Sequence, residues 1–123
     1  MPSQRTTELL LEDIVLSADK ILMYTRGMNY YDFATDDKTV DAVVRNIEII
    51  GEAAAKLPDD FKEAHPEIDW QHLSHFIDNT VLDTFIINYE AAWRIREEEA
   101  SELLTQANTI VTQEKASRLN SKY

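Results

Sequence analysis

No cysteine occurs among the 123 residues, so the chain has neither a disulfide framework nor a thiolate metal site. Its three histidines lack the spacing of a zinc-binding set, and no metal or other cofactor is expected. Glycine appears twice and proline three times, which leaves little material for hairpin turns and favours long helices. No apolar run approaches the roughly 20 residues that a membrane-spanning helix needs. The N-terminal Met1-Pro2-Ser3-Gln4-Arg5 leads into an acidic helical pattern rather than a signal-peptide core, so a cytoplasmic protein without membrane contact is expected. Cations are also scarce: twelve Lys and Arg against twenty-three Asp and Glu leave a net charge of −11. An acid excess of this size opposes approach to a nucleic acid, whose affinity rests on neutralised phosphates. It serves solubility or complements a basic partner.

The 44% of hydrophobic residues suffices for one core, and 123 residues leave no room for a second domain. Thr6-Thr7-Glu8 caps a first helix with Leu10, Ile14, Ala18, Ile21 and Leu22 on one face, stopped by Gly27. Residues 28–33 read as a connection whose Tyr30, Tyr31 and Phe33 pack against the bundle. Asp36-Asp37 load the start of a second helix, striped by Val40, Val43, Val44, Ile47, Ile50 and Ala54 and ended by Pro58. A short extra helix follows, closed by His65-Pro66. Asp69 caps a third helix from Trp70 to about Thr84, although Val81, Leu82, Phe85, Ile86 and Ile87 are β-prone types. Asn88 caps a last helix with Trp93, Ala100, Leu103, Leu104, Ala107, Ile110 and Val111 inward, and with Arg94, Arg96 and Glu97 to Glu99 on its solvent side. Polar residues after about Gln113 are expected to fray. The fold predicted is all-α: an up-and-down four-helix bundle with one short extra helix, formed by residues 1–115 and followed by a polar tail, 116–123.

The run Arg45-Asn46-Ile47-Glu48-Ile49-Ile50-Gly51-Glu52-Ala53-Ala54 resembles the second-helix signature of the HepT family, a branch of the HEPN superfamily. The likeness continues through Pro66, Trp70, Leu73-Ser74, Phe76, Ile87-Asn88-Tyr89-Glu90 and Trp93, covering about residues 7–112. Singly these residues have ordinary roles: Trp70 and Trp93 fill core, and Arg45, Glu48 and Glu52 form an ion-pair ladder on a helix surface. The resemblance implies a homodimeric four-helix-bundle ribonuclease toxin, paired with a minimal nucleotidyltransferase antitoxin that silences it by adding AMP to a tyrosine. It also implies a motif of arginine, a polar residue, then a histidine four to six positions after the arginine, with the target tyrosine two further on. Cleavage by the RNA's own 2′-hydroxyl needs a titrating imidazole and a fixed cation for the phosphorane charge.

The sequence departs from that pattern. In ungapped register Ile77 holds the arginine position, Asp78 the polar one, Leu82 the histidine position and Thr84 the tyrosine position. A one-residue shift sets Asp78 and Asp83 at the arginine-to-histidine spacing, and two carboxylates repel the scissile phosphate. His72 and His75, one turn apart, are the residues that could rescue the chemistry, with Arg45 supplying charge across the bundle; the plainer reading makes both surface or interface histidines. Asp78 with Asp83, or Glu48 with Glu52, also forms a carboxylate pair, without the cation or distinctive spacing of a hydrolase site. Two readings follow. The first is a dimerising, partner-binding, nuclease-inactive HepT-like component of a prokaryotic toxin–antitoxin system. The second is an active endonuclease toxin working through non-family residues and neutralised by its nucleotidyltransferase, with an altered form of an active parent as a variant. The apolar residues 77–87 are either buried, adding about 1.5–3 kcal/mol for each aliphatic side chain covered, or exposed as a partner surface. Thr84 is a threonine where AMP addition calls for tyrosine, and Tyr89 is the nearest tyrosine.

Overall fold

A computed structural model describes residues 6–83 and 86–120. It is 81% helical and all-α in class. The helix α1, Thr7–Tyr24, starts where the Thr6 hydroxyl accepts from the Leu9 N–H. Beyond its end Gly27 adopts φ 78°, a left-handed conformation open to glycine at no steric cost. The segment expected as a connection instead forms the short helix α2, Tyr30–Ala34. A reciprocal capping box between Asn29 and Asp32 nucleates it, and it buries Phe33 while Tyr31 stays exposed. The helix α3, Asp37–Lys56, follows the Asp36 cap; α4, Asp59–Ala64, is the short extra helix.

The third expected helix is corrected most. It divides at His75 into α5, Trp70–Ser74, and α6, Phe76–Thr80, and then stops. Val81–Asp83 (β1) and Ile86–Ile87 (β2) pair antiparallel, Val81 opposite Ile87 and Asp83 opposite Ile86, with a register irregularity between the pairs. The Asn88 N–H donates to the Thr80 carbonyl at 2.7 Å and closes the base of this hairpin. β-Branched side chains lose rotamer freedom in a helix and gain packing on a pleated surface, which is why this apolar run leaves the helix early. Thr84 and Phe85 lie outside the described residues.

Asn88 caps a continuous helical run made of α7, Tyr89–Arg94, a π-helical turn, Ile95–Glu99, and α8, Ala100–Asn120. The polar stretch after Gln113, expected to fray, continues helical to Asn120. There Lys115 pairs with Glu12 at 2.9 Å and Arg118 with Glu8 at 3.1 Å. α1 packs between α3 and α8, while α5 and α6 lie against α3. Leu11, Ile14, Ile21, Val43, Ile47, Ile50 and Ile110 form the centre of the core. Among the described residues no helix is long and apolar enough to cross a membrane.

Two contacts fix the arrangement. A Cβ built on Gly51 of α3 would meet the Leu73 carbonyl oxygen of α5 at 3.2 Å, a contact tight enough that any side chain here would push the α5 backbone back by a few tenths of an ångström. Arg96, expected to face solvent, turns inward instead. Its Nε donates to the buried Thr25 hydroxyl at 2.8 Å and Nη2 donates to the Thr25 carbonyl at 3.4 Å. The guanidinium also lies 4.9 Å from the centroid of the Trp93 ring. A cation at the carbonyl end of α1 complements the helix dipole, and the Thr25 hydroxyl passes the bond on to the Ile21 carbonyl at 2.7 Å.

Three outcomes follow for stability. Thr25→Val, isosteric but without the hydroxyl, is expected to lower unfolding free energy in urea by about 1–3 kcal/mol, the usual loss for a hydrogen bond to a charged donor. Gly51→Val is expected to cost about 1–3 kcal/mol by overpacking against the α5 backbone, read from the same denaturation curves. The backbone N–H and then the hydroxyl of Thr39 hold the Asp36 carboxyl below its ordinary value of 3.8. A carboxyl depressed in the folded state stabilises above its unfolded pKa, and that contribution fades as pH falls through the folded pKa. Asp36→Asn keeps the capping oxygen, so helix content at neutral pH is expected to hold while the Asp36 share of the acid-limb pH dependence disappears from thermal melts between pH 2 and about 5.

Candidate functional site

The residues singled out by sequence fall into three separate places. Gly51 seats α5 on α3, and α6 and the two hairpin strands follow from there. Ile77 is half-buried against the core. Asp78 Oδ2 lies 2.9 Å from His75 Nδ1, one helical turn before it. On the hairpin Leu82 and Ile86 are 62% and 54% exposed, and Asp83 is exposed beside them. Among the described residues of this segment there is no arginine, lysine, histidine or tyrosine, and Thr84 cannot be placed since it lies outside them. Tyr89 opens α7 with its ring partly exposed.

His72 belongs to a second place. Its Nε2 is 2.6 Å from Glu99 Oε1 in the π-helical turn, and its ring meets Phe76 edge-on at 5.1 Å. The Asp69 cap, whose carboxylate accepts from the His72 N–H at 3.0 Å, sets the start of this helix. The shallow hollow around His72, about 190 Å³, is walled by Glu67, Asp69, Glu98, Glu99 and Glu102 and contains no Lys or Arg. A hollow lined by five carboxylates is unsuited to receive a phosphate.

Arg45 stands in the third. It pairs with Glu48 on the outer surface of α3. With Asp13, Ile49, Glu52 and Lys56 it lines a hollow of about 290 Å³ between α1 and α3, in which no imidazole takes part. Glu48 and Glu52 therefore belong to a mixed-charge helix surface rather than to an isolated carboxylate pair. Among the described residues no group of three or more His, Cys, Asp or Glu is arranged to hold a metal ion.

One hollow escapes sequence reasoning altogether. Tyr30, Glu90, Trp93, Arg94, Glu97 and Glu98 enclose about 540 Å³ where α2 meets the last helical run. Tyr30 meets the Trp93 ring edge-on at 6.4 Å, and Phe33 lies 5.3 Å from the same ring. Some 60 residues separate its two sides, but Asn29 and Asp32 at capping-box spacing were a legible sign that α2 would present Tyr30 from a helix.

Comparison with known proteins accords with this architecture. A family model described as ribonuclease HepT-like matches residues 14–110. A protein named probable ribonuclease HepT, from Thermococcus cleftensis, is 36% identical over 100 residues, covering 81% of this chain and 91% of its own. A candidate RNase of Caldanaerobacter subterraneus subsp. tengcongensis is 32% identical over 111 residues, covering 90% of this chain and 99% of its own. A candidate RNase of Methanocaldococcus jannaschii is 35% identical over 92 residues, covering 75% and 76%. No solved structure matches the chain. With the matched span running from the middle of α1 to the middle of α8, this chain belongs to the HepT-like ribonuclease family.

Proposed function

We propose that the chain is a nuclease-inactive, dimer-forming HepT-like component of a prokaryotic toxin–antitoxin pair, working in the cytoplasm by binding a minimal nucleotidyltransferase partner. The observation that carries this reading is the content of the motif positions. Ile77, Asp78 and Leu82 offer a half-buried aliphatic chain, a carboxylate engaged with His75 and an exposed aliphatic chain. Ribonuclease chemistry at that place needs a cation to balance charge gained by the phosphorane and an imidazole to move the 2′-hydroxyl proton. The three carried-over groups supply neither. The exposed Leu82 and Ile86 support the partner-binding half of the reading, since an exposed apolar patch gains free energy when another surface covers it.

A second reading keeps the nuclease and moves its chemistry. Its support is the relatives' ribonuclease names, together with the Asp78 carboxylate on His75 Nδ1, the kind of contact that orients an imidazole as a base. Against it stands the separation of His72 from Arg45, which line different hollows.

The purified protein incubated with structured and unstructured RNA separates the two. The expected outcome is no cleavage above a protein-free control and no growth arrest when the chain is expressed without a partner. Fragments ending in cyclic phosphate that disappear with His72→Ala or His75→Ala would overturn the proposal in favour of the active enzyme.

A further inference from the structure

Aromatic rings and carboxylates without ion pairs share one hollow, the space of about 540 Å³ between α2 and the last helical run. Tyr30 and Trp93 line it with partly exposed rings, and Glu90, Glu97 and Glu98 stand beside them against one cation, Arg94. Glu97 is engaged by Arg96 at 2.7 Å, whereas Glu90 and Glu98 have no ion-pair partner among the described residues. Glu90, Arg94 and Glu98 follow one another at four-residue steps, the spacing at which opposite charges pair on a regular α-helix. They do not pair here, and the π-helical turn, Ile95–Glu99, interrupts the regular step between Arg94 and Glu98.

The chain itself shows what these rings attract. The Arg96 guanidinium lies 4.9 Å from the Trp93 centroid, a planar cation drawn to the electron-rich face of the ring. Arg96 is tied to Thr25 and Glu97, so the charge of Glu90 and Glu98 is left for another cation. A guanidinium arriving from outside meets the 39% exposed Tyr30 ring together with those two carboxylates, gaining a stacking surface and charge at once. An ammonium gains the charge and less of the stacking. The acidic surface also continues past this hollow: Glu98 lines the hollow around His72 as well, where Glu67, Asp69, Glu99 and Glu102 add four more carboxylates. From Glu90 to Glu102 is about 18 Å along a helix, the reach of roughly five or six residues of extended chain. A lone small cation fills one hollow, whereas a basic segment fills both, and the shared Glu98 makes them continuous. We infer that the two hollows joined at Glu98 form a docking groove for a basic, arginine-bearing segment of a partner protein, with one arginine seated among Tyr30, Glu90 and Glu98. The groove shares no residue with the segment 77–87, and its occupancy is read without any cleavage of RNA, so it stands or falls apart from the function proposed above.

The probe is a capped peptide of alternating arginine and glycine, about six residues long to match the groove, titrated into the full chain at about 0.15 M salt, where attraction between exposed charges is screened beyond about 8 Å. Of the two indole N–H signals in the NMR spectrum, that of Trp93 is expected to shift saturably as peptide is added. A lysine–glycine peptide of the same length is expected to bind roughly two- to fivefold more weakly. Glu90→Gln and Glu98→Gln, both at exposed positions, are each expected to weaken the arginine peptide by roughly three- to tenfold, and Tyr30→Leu by roughly two- to fivefold. Arg94→Gln removes the hollow's own cation and is expected to strengthen binding by roughly two- to threefold. Asp19→Asn makes the same change in net charge as Glu90→Gln at an exposed residue of α1 outside both hollows, and is expected to alter affinity by less than about twofold. A Trp93 signal that does not move, equal losses for Glu90→Gln and Asp19→Asn, or equal affinities for the arginine and lysine peptides each overturns the inference, the second because the attraction is then that of net charge alone.

Discussion

A missing side chain at residue 51 governs where everything in the candidate site stands. A Cβ on Gly51 would press on the Leu73 carbonyl oxygen at 3.2 Å, with the Ser74 carbonyl next at 3.5 Å. Because the two backbones can close to that distance, α5 lies down on α3 and its first residues tuck Trp70 and Leu73 into the core. Two consequences follow in opposite directions along the chain. His72 is left on the outer surface of α5, within reach of Glu99 on the last helical run. The break at His75 then starts α6, whose Phe76 and Thr80 are buried, and the hairpin springs from that anchored end. The same glycine is part of the signature by which the family was recognised, so the resemblance has a packing reason as well as a pattern.

What was legible in the sequence was local. Thr6, Asp69 and Asn88 each cap the helix they were read as capping, and Asp36, read only as charge at a helix start, caps α3 as well. The stripes of α1 and α3 turn inward as read. What was not legible depended on distant partners. Arg96 sits among Glu97, Glu98 and Glu99, a composition that looks like a solvated face. Its destination, the Thr25 hydroxyl and carbonyl 71 residues earlier, appears only once α1 and the last helical run are packed. The hairpin was half legible: its residue types were β-prone, and helical periodicity continued from Trp70 outweighed them. The π-helical turn, Ile95–Glu99, has no sequence signal at all within the run that contains it.

Charge is distributed with the same logic as the fold. Five of the twelve cations pair within the molecule: Arg45 on Glu48, Lys62 near Asp59, Arg96 on Glu97 and Thr25, Lys115 and Arg118 on α1. The carboxylates are in surplus and gather where α5 faces the last helical run. Five of the twenty-three carboxylates line the hollow around His72, so a polyanion approaching that imidazole meets like charge before it meets the ring.

The apolar segment 77–87 posed the clearest alternative between burial and exposure, and its two halves answer differently. Ile77, Val81 and Ile87 are partly covered, so this half adds to the core that α3 and α6 share. Leu82 and Ile86 project from the hairpin with more than half their surface in water, and within one chain they return little of the 1.5–3 kcal/mol or so that full burial would yield. Stability of the lone chain gives no reason for large aliphatic side chains at those two positions. A polar residue there would cost the isolated fold little and would spare it an exposed, short-stranded apolar edge, which is a liability for association. Under the proposed function that edge is the surface a partner would cover, at the same place where the motif positions hold Ile77, Asp78 and Leu82.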